Sequence, residues 1–278
     1  MYVSLNGALV AGGKVGWPDF ARLAARFGYP GVDVNLGPAM RDGAPETRAL
    51  LEHLRLKPAV IGFPVEFRKD QAAFEDGLKK LGEAAHFAAA IGCPRMATWI
   101  MSSSQTPKDE LRALFKKRFS AAARVLAEHE VRLGLEFLGP LHIRKRFPHE
   151  FIWRMDEMLE FARECGPNVG LLLDAWHWHH ARASAADILA AGKAGVVTVH
   201  VADAPDLPPE KIVDGQRLMP GEGVIDFNAF FGALKKIGYE DGISPEVLGP
   251  RARNLAPEEG AKIGLETTLG VMKKAGVA

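Results

Sequence analysis

Cysteine is nearly absent: the 278 residues hold two, Cys93 and Cys165. They stand far apart and match no metal-binding or redox spacing, so both are expected to be reduced, partly buried thiols. Excess charge is missing too. The chain has 35 Lys and Arg against 34 Asp and Glu, a formal net charge of +1. No global pull toward nucleic acid or an anionic membrane is therefore expected. No apolar run approaches the ~20 residues needed to span a bilayer. The opening Met1-Tyr2-Val3-Ser4-Leu5-Asn6 lacks a basic stretch followed by an apolar one. No secretory signal is expected, and a cytoplasmic location is the default. No Gly-x-Gly-x-x-Gly follows the first strand-like segment, which weakens a nucleotide-binding reading.

What is present is a rhythm. Short apolar runs alternate with longer helical patterns from end to end, the mark of βα units. Strands are expected near Tyr2–Asn6, Gly31–Asn35, Pro58–Phe63 and Arg95–Ile100, then at Leu133–Phe137, Gly170–Asp174, Val196–His200 and Gly242–Glu246. Helices are expected from about Asp19 to Phe27, Pro45 to Leu54, Gln71 to Ala90, Pro107 to His129, Glu150 to Cys165, Ala183 to Ala191, Asn228 to Ile237 and Pro257 to Lys274. Eight strands and eight helices in alternation, over a chain about the length of one barrel, predict a single (β/α)8 TIM barrel over residues 1–278. Two connections, 138–149 and 201–225, are longer than minimal βα loops, and long loops in a compact domain are usually functional or disordered.

Four strands end on a residue able to bind a divalent metal: Glu136, Asp174, His200 and Glu246. In a parallel barrel, successive strand ends meet at one mouth, where active sites are built. Any one carboxylate at a strand end reads more simply as a helix cap or surface acid; four on adjacent strands are hard to explain that way. Three carboxylates and an imidazole make a hard, oxygen-rich set for one divalent ion. Mn²⁺ is the first expectation, with Mg²⁺, Co²⁺ or Zn²⁺ also open.

With these residues in view, the chain resembles the xylose isomerase-like sugar isomerase/epimerase superfamily of TIM barrels. The resemblance rests on Leu135-Glu136-Phe137-Leu138-Gly139, Val169 to His179 with its Leu173-Asp174-Ala175-Trp176-His177 centre, His200-Val201-Ala202-Asp203-Ala204-Pro205, Pro220 to Asp226, and Ser244-Pro245-Glu246-Val247. Within the superfamily these segments look most similar to the inosose (2-keto-myo-inositol) isomerase branch. The resemblance implies that Glu136, Asp174, His200 and Glu246 ligate the metal, and that His177 and Arg217 contact substrate oxygens. The DNA-repair branch adds histidines on earlier strands, where this chain has Asn35, Phe63 and Trp99-Ile100, so no nucleic-acid substrate is expected. The chain also departs from the ketohexose epimerase branch. His142 stands where that branch has a second glutamate, and Pro245 precedes Glu246.

A metal holding a carbonyl and a neighbouring hydroxyl acidifies the C–H beside the carbonyl. Glu136 and Glu246, on different strands, can then remove a proton and return it, the enediolate route of an isomerase or epimerase. The substrate expected is a small sugar or cyclitol: a ketose, inosose or keto-sugar. The same site can instead eliminate, as an inosose dehydratase or 3-keto-glycoside lyase, or the barrel can be a non-catalytic sugar binder. Asn6 and Trp99, at the first and fourth strand ends, are further candidates for substrate contact. His179 and His180 read as helix-start or surface residues, His142 and His149 as loop residues, and Trp178 as packing. Arg144, Lys145 and Arg146 read as a solvated loop rather than a phosphate clamp. Oligomeric state is not legible, although barrels of this type often pair through helices and long loops, so a homo-oligomer is one expectation.

Overall fold

Strands covered by helices on one side and packed into a barrel on the other are apolar on both faces. Each of the eight apolar runs meets that requirement. The computed structural model, which describes residues 1–13 and 15–278, forms a strand at each. They are β1 (Tyr2–Leu5), β2 (Gly31–Val34), β3 (Lys57–Gly62), β4 (Arg95–Ile100), β5 (Arg132–Phe137), β6 (Val169–Asp174), β7 (Val196–Val201) and β8 (Gly242–Pro245). All neighbours pair in parallel, and β1 joins both β2 and β8, closing the ring. The architecture is the (β/α)8 barrel expected from the alternation.

The outer ring comprises helices Asp19–Arg26, Ala44–Leu54, Gln71–Ala90, Lys108–Ala127, Met155–Cys165, Ala185–Gly195, Phe227–Lys236 and Pro257–Lys274. Several start on side-chain caps that satisfy exposed N–H groups. Asp70 accepts from Ala73 N at 2.9 Å, and Asp226 from Ala229 N at 2.9 Å. Two starts differ from expectation. The helix expected from Glu150 begins at Met155, because His149–Glu150 instead pairs antiparallel with Ser103–Ser104 and Phe151 is buried behind it. The helix expected from Ala183 begins at Ala185, where Ser184 and Asp187 form a reciprocal capping box. Four short helices, Leu36–Asp42, Leu141–Arg144, Ala175–His180 and Pro250–Arg253, carried too little periodicity to be read.

Two cores result. Between strands and helices lies a continuous apolar layer, in which Phe67, Phe115 and Phe119 meet at centroid distances of 4.6 to 6.0 Å. Cys93 and Cys165 are buried, and burial pushes each thiol up to about 12, so both stay protonated. Inside the barrel, Val60, Ala97 and Leu172 form a separate plug. Leu172 precedes Asp174 by two residues on β6 and so faces the same way; the plug is the floor under the strand ends. Below it the interior narrows, and a Cβ at Gly242 would lie 2.7 Å from the Ala59 Cβ. No helix among the described residues is long and apolar enough to cross a membrane.

Candidate metal centre

Register brings the four strand-end residues together. Asp174 on β6 pairs with His200 on β7, and His200 pairs with Ser244 on β8. Glu246 follows directly, its N–H donating to Val201 O at 2.9 Å. On the other flank, Glu136 on β5 pairs with Trp99 on β4. One ligand atom from each of Glu136, Asp174, His200 and Glu246 lies within 4.8 Å of all the others.

The polar atoms here are left as a cation would need them. Glu136 Oε1 and both ring nitrogens of His200 are buried, with no hydrogen-bond partner among the described residues. Buried polar atoms are normally paired. His200 Nδ1 lies 3.6 Å from Glu246 Oε2, an ion-pair contact too long for a hydrogen bond. Three carboxylates, an imidazole and these orphaned atoms fit a divalent metal ion.

Asp174 has two roles at once. Its Oδ1 accepts from Trp176 N at 2.8 Å, capping the helix Ala175–His180, while Oδ2 faces the site. That short helix places His177 one turn on, fully buried. Gly139, in the loop after β5, donates to His177 Nδ1 at 3.3 Å. Only glycine fits there, since a Cβ would come within 2.5 Å of the His177 carbonyl oxygen. His179 and His180 close this helix rather than start it. His180 meets Trp176 edge to face at a centroid distance of 4.4 Å, and Trp178 meets Phe230 likewise at 5.4 Å.

The long connection after β7 is ordered by one carboxylate. Asp203 accepts four backbone N–H groups: Ala204 and Ile225 at Oδ1, Gly221 and Gly223 at Oδ2, all at 2.8 or 2.9 Å. Its backbone also bridges Leu218. The loop so folded drives Arg217 into the barrel mouth, where it is only 2% exposed. Arg217 Nη1 donates to Asp174 Oδ2 at 2.8 Å and Glu246 Oε2 at 2.9 Å; Nη2 meets Asp214 Oδ1 at 2.9 Å and His177 Nε2 at 3.2 Å.

These contacts split the two glutamates. Burial, reinforced by the charges of Glu246 and Asp174, raises Glu136 well above the usual carboxylate range. Burial also pushes Glu246 upward, but His200 and Arg217 outweigh it and bring its pKa down to about 2. Burial raises Asp174, with Arg217 opposing. His200 is held up at about 10, its burial overcome by Glu246, Glu136 and Asp174. Burial and the adjacent guanidinium keep His177 neutral, well below its ordinary value.

Above the ligands opens a cavity of about 520 Å³. Glu136, His200 and Glu246 line it, with Asn6 and Trp99 on the strand ends that flank them and Leu172 in the floor. Trp99 is 42% exposed, with the Arg68 guanidinium 3.9 Å from its ring centroid. The Asn6 amide is already engaged, accepting from Ala8 N and donating to Asp33. His177 and Arg217 do not line the cavity: both are buried behind the candidate ligands. None of Arg144, Lys145 and Arg146 lines it either; Arg144 lies over Trp153 instead. Sequence reasoning missed Asp33, which does line the cavity. An acid flanked by Val32 and Val34 in an otherwise apolar strand was the available signal.

Residues 13–273 match the family model described as xylose isomerase-like TIM barrel. An inosose isomerase of Halalkalibacterium halodurans is 24% identical over 232 residues, covering 82% of this chain and 80% of that protein. A xylose isomerase domain protein of Alicyclobacillus acidocaldarius superimposes with a TM-score of 0.91 at 27% identity, covering 99% of both chains. The IOLI protein, in a structure with a bound zinc atom, has the same fold at a TM-score of 0.80 and 22% identity, again over 99% of both. The chain belongs to the xylose isomerase-like TIM barrel family.

Proposed function

We propose that this protein is a metal-dependent isomerase or epimerase of an unphosphorylated keto-sugar or inosose. The observation that carries the reading is the pair Glu136 and Glu246. Both offer a ligand atom to one point, and their surroundings push their proton affinities apart. Pairs of acids separated in this way mark proton donor and acceptor roles. Glu136, with Oε1 free of hydrogen bonds, is the more basic and suits proton removal from carbon. Glu246, tied to Arg217, stays ionised and flanks the substrate from β8.

Glu136, Asp174, His200 and Glu246 would hold the ion, which supplies Lewis acidity beside the substrate carbonyl. Mn²⁺ suits this oxygen-rich set, and the zinc in the IOLI structure makes Zn²⁺ the second choice. Arg217 and His177 stand behind the ligands and fix their orientation. The inosose isomerase names of the curated relatives support a cyclitol or sugar substrate.

The test is metal analysis of the purified protein, followed by incubation with inososes and ketohexoses in D₂O under NMR. About one divalent ion per chain and deuterium at a carbon next to a carbonyl are expected. Metal with an unsaturated, UV-absorbing product would instead mean elimination. No metal after supplementation would overturn the reading.

A further inference from the structure

Asp33 sits on β2, across the closed ring from Asp174 on β6. It is an acidic residue inside the barrel that the candidate ligand set does not need; burial raises its pKa, opposed by the charge of His200 and by hydrogen bonds from Ser244, Ser4 and Asn6. Its Oδ1 accepts the hydroxyls of Ser4 and Ser244, each at 2.8 Å, and its Oδ2 accepts Asn6 Nδ2 at 2.9 Å. The donors come from β1, its end and β8, so they fix the carboxylate plane and hold it toward the cavity it lines. An ionised carboxylate offers about four acceptor positions. Three are filled, and one on Oδ2 remains.

Burying a charge is costly unless its partners compensate. Three neutral donors orient this one, yet no Lys or Arg hydrogen-bonds to it among the described residues. Near it the lining mixes apolar Val10, Trp17 and Phe20 with the amides of Asn6 and Asn35. The two halves of the cavity therefore differ in chemistry. One carries the candidate metal ligands; the other offers a carboxylate held in a fixed orientation among apolar side chains and amides. That pairing matches a cyclitol or sugar ring, with hydroxyls at its edge and C–H groups on its face.

We propose, resting on the reading above, that Asp33 is a substrate-anchoring residue. Its open Oδ2 position accepts a hydrogen bond from a hydroxyl on the non-reacting part of a neutral polyhydroxylated ring. In its ionised form the carboxylate also selects against phosphate or carboxylate at that end, since like charges would meet across the cavity. Asp33 thus sets both the orientation and the charge class of the substrate, while the ligand side performs the chemistry.

Binding of 2-keto-myo-inositol, its monodeoxy analogues and its monophosphates is measured by calorimetry on metal-loaded wild-type protein and D33N. Wild-type protein should bind one deoxy analogue at least about tenfold more weakly than the parent, the size of a lost hydrogen bond to a charged group. D33N should lose a similar factor for the parent and nothing further for that analogue. Equal loss by D33N across every analogue would make Asp33 a wall residue and overturn the proposal. So would wild-type protein that binds all deoxy analogues alike, a result independent of how D33N folds. Tighter binding of a monophosphate, or no binding of any neutral cyclitol, would overturn the substrate class. Metal content and deuterium exchange of the wild-type protein are read separately, so failure of the isomerase reading shows there and not in the D33N comparison.

Discussion

Arg217 donates to Asp174 at 2.8 Å, and the Asp174 oxygen that receives it is the one not used to cap the following helix. The guanidinium therefore stands where positive charge is needed, beside buried Asp174 and half-buried Glu246 and near buried Glu136. It also touches Glu246, so one side chain lowers the proton affinity of two candidate ligands: against burial at Asp174, and alongside the larger effect of His200 at Glu246.

Replacing Arg217 with Met should leave Asp174 and Glu246 buried without their cation. Breaking one side of a buried pair costs about 3–5 kcal/mol, and thermal unfolding of metal-free protein should show a loss of that order. Adding Mn²⁺ or Zn²⁺ should recover part of it, because the ion restores positive charge at the same carboxylates. Destabilisation that metal leaves untouched would count against the four-residue centre.

Metal uptake should release protons. The folded metal-free protein holds His200 protonated up to about pH 10, against an ordinary value of 6.5. The His200–Glu246 attraction is fully present below 6.5 and is lost as pH rises through 10. An incoming ion needs the neutral imidazole, so it must displace that proton, and Glu136, raised by burial, adds a second. Affinity should strengthen steadily from about pH 6 to 8, with a buffer-dependent calorimetric heat reporting one to two protons. A pH-independent affinity would contradict the arrangement.

E246Q keeps the shape of the side chain and an oxygen for Arg217 but removes the charge. Turnover should fall by ~10²–10⁴, the usual weight of a general acid–base group. E136Q should do the same. A variant with unchanged kcat would remove that glutamate from the proton path.

D203N should act at a distance. One Asp203 oxygen becomes an amide that faces two backbone donors, at ~1–3 kcal/mol for each donor left unsatisfied. Stability should fall by about 2–6 kcal/mol in denaturant titration. Loosening of the 202–225 connection should also weaken Arg217's hold on Asp174, read as reduced metal affinity. Intact metal affinity with lowered stability would confine Asp203 to the loop.

The barrel and the meeting of the four candidate ligands at its mouth were legible because both are written locally. An apolar run bounded by polar residues marks a buried strand, and the residue that ends it inherits a place at the mouth. Glu136, Asp174, His200 and Glu246 needed only that rule and the circular order of strands. The helix Ala175–His180 escaped because one short turn carries no periodicity, and its cap was a residue already assigned to metal. The start at Met155 escaped because His149–Glu150 pairs with a segment on the far side of another helix.

The amino-acid sequence by itself thus determined the number of βα units, the four candidate ligands at the strand ends and the oxygen-rich character of that cluster. Tertiary structure alone decided which cation neutralises those ligands and which acid faces them. Arg217 reaches Asp174 across 43 residues, and Ser244 reaches Asp33 across 211, through the seam where β1 closes on β8. Such contacts depend on side chains meeting across a closed ring, and no local pattern of polarity records which residues will meet there.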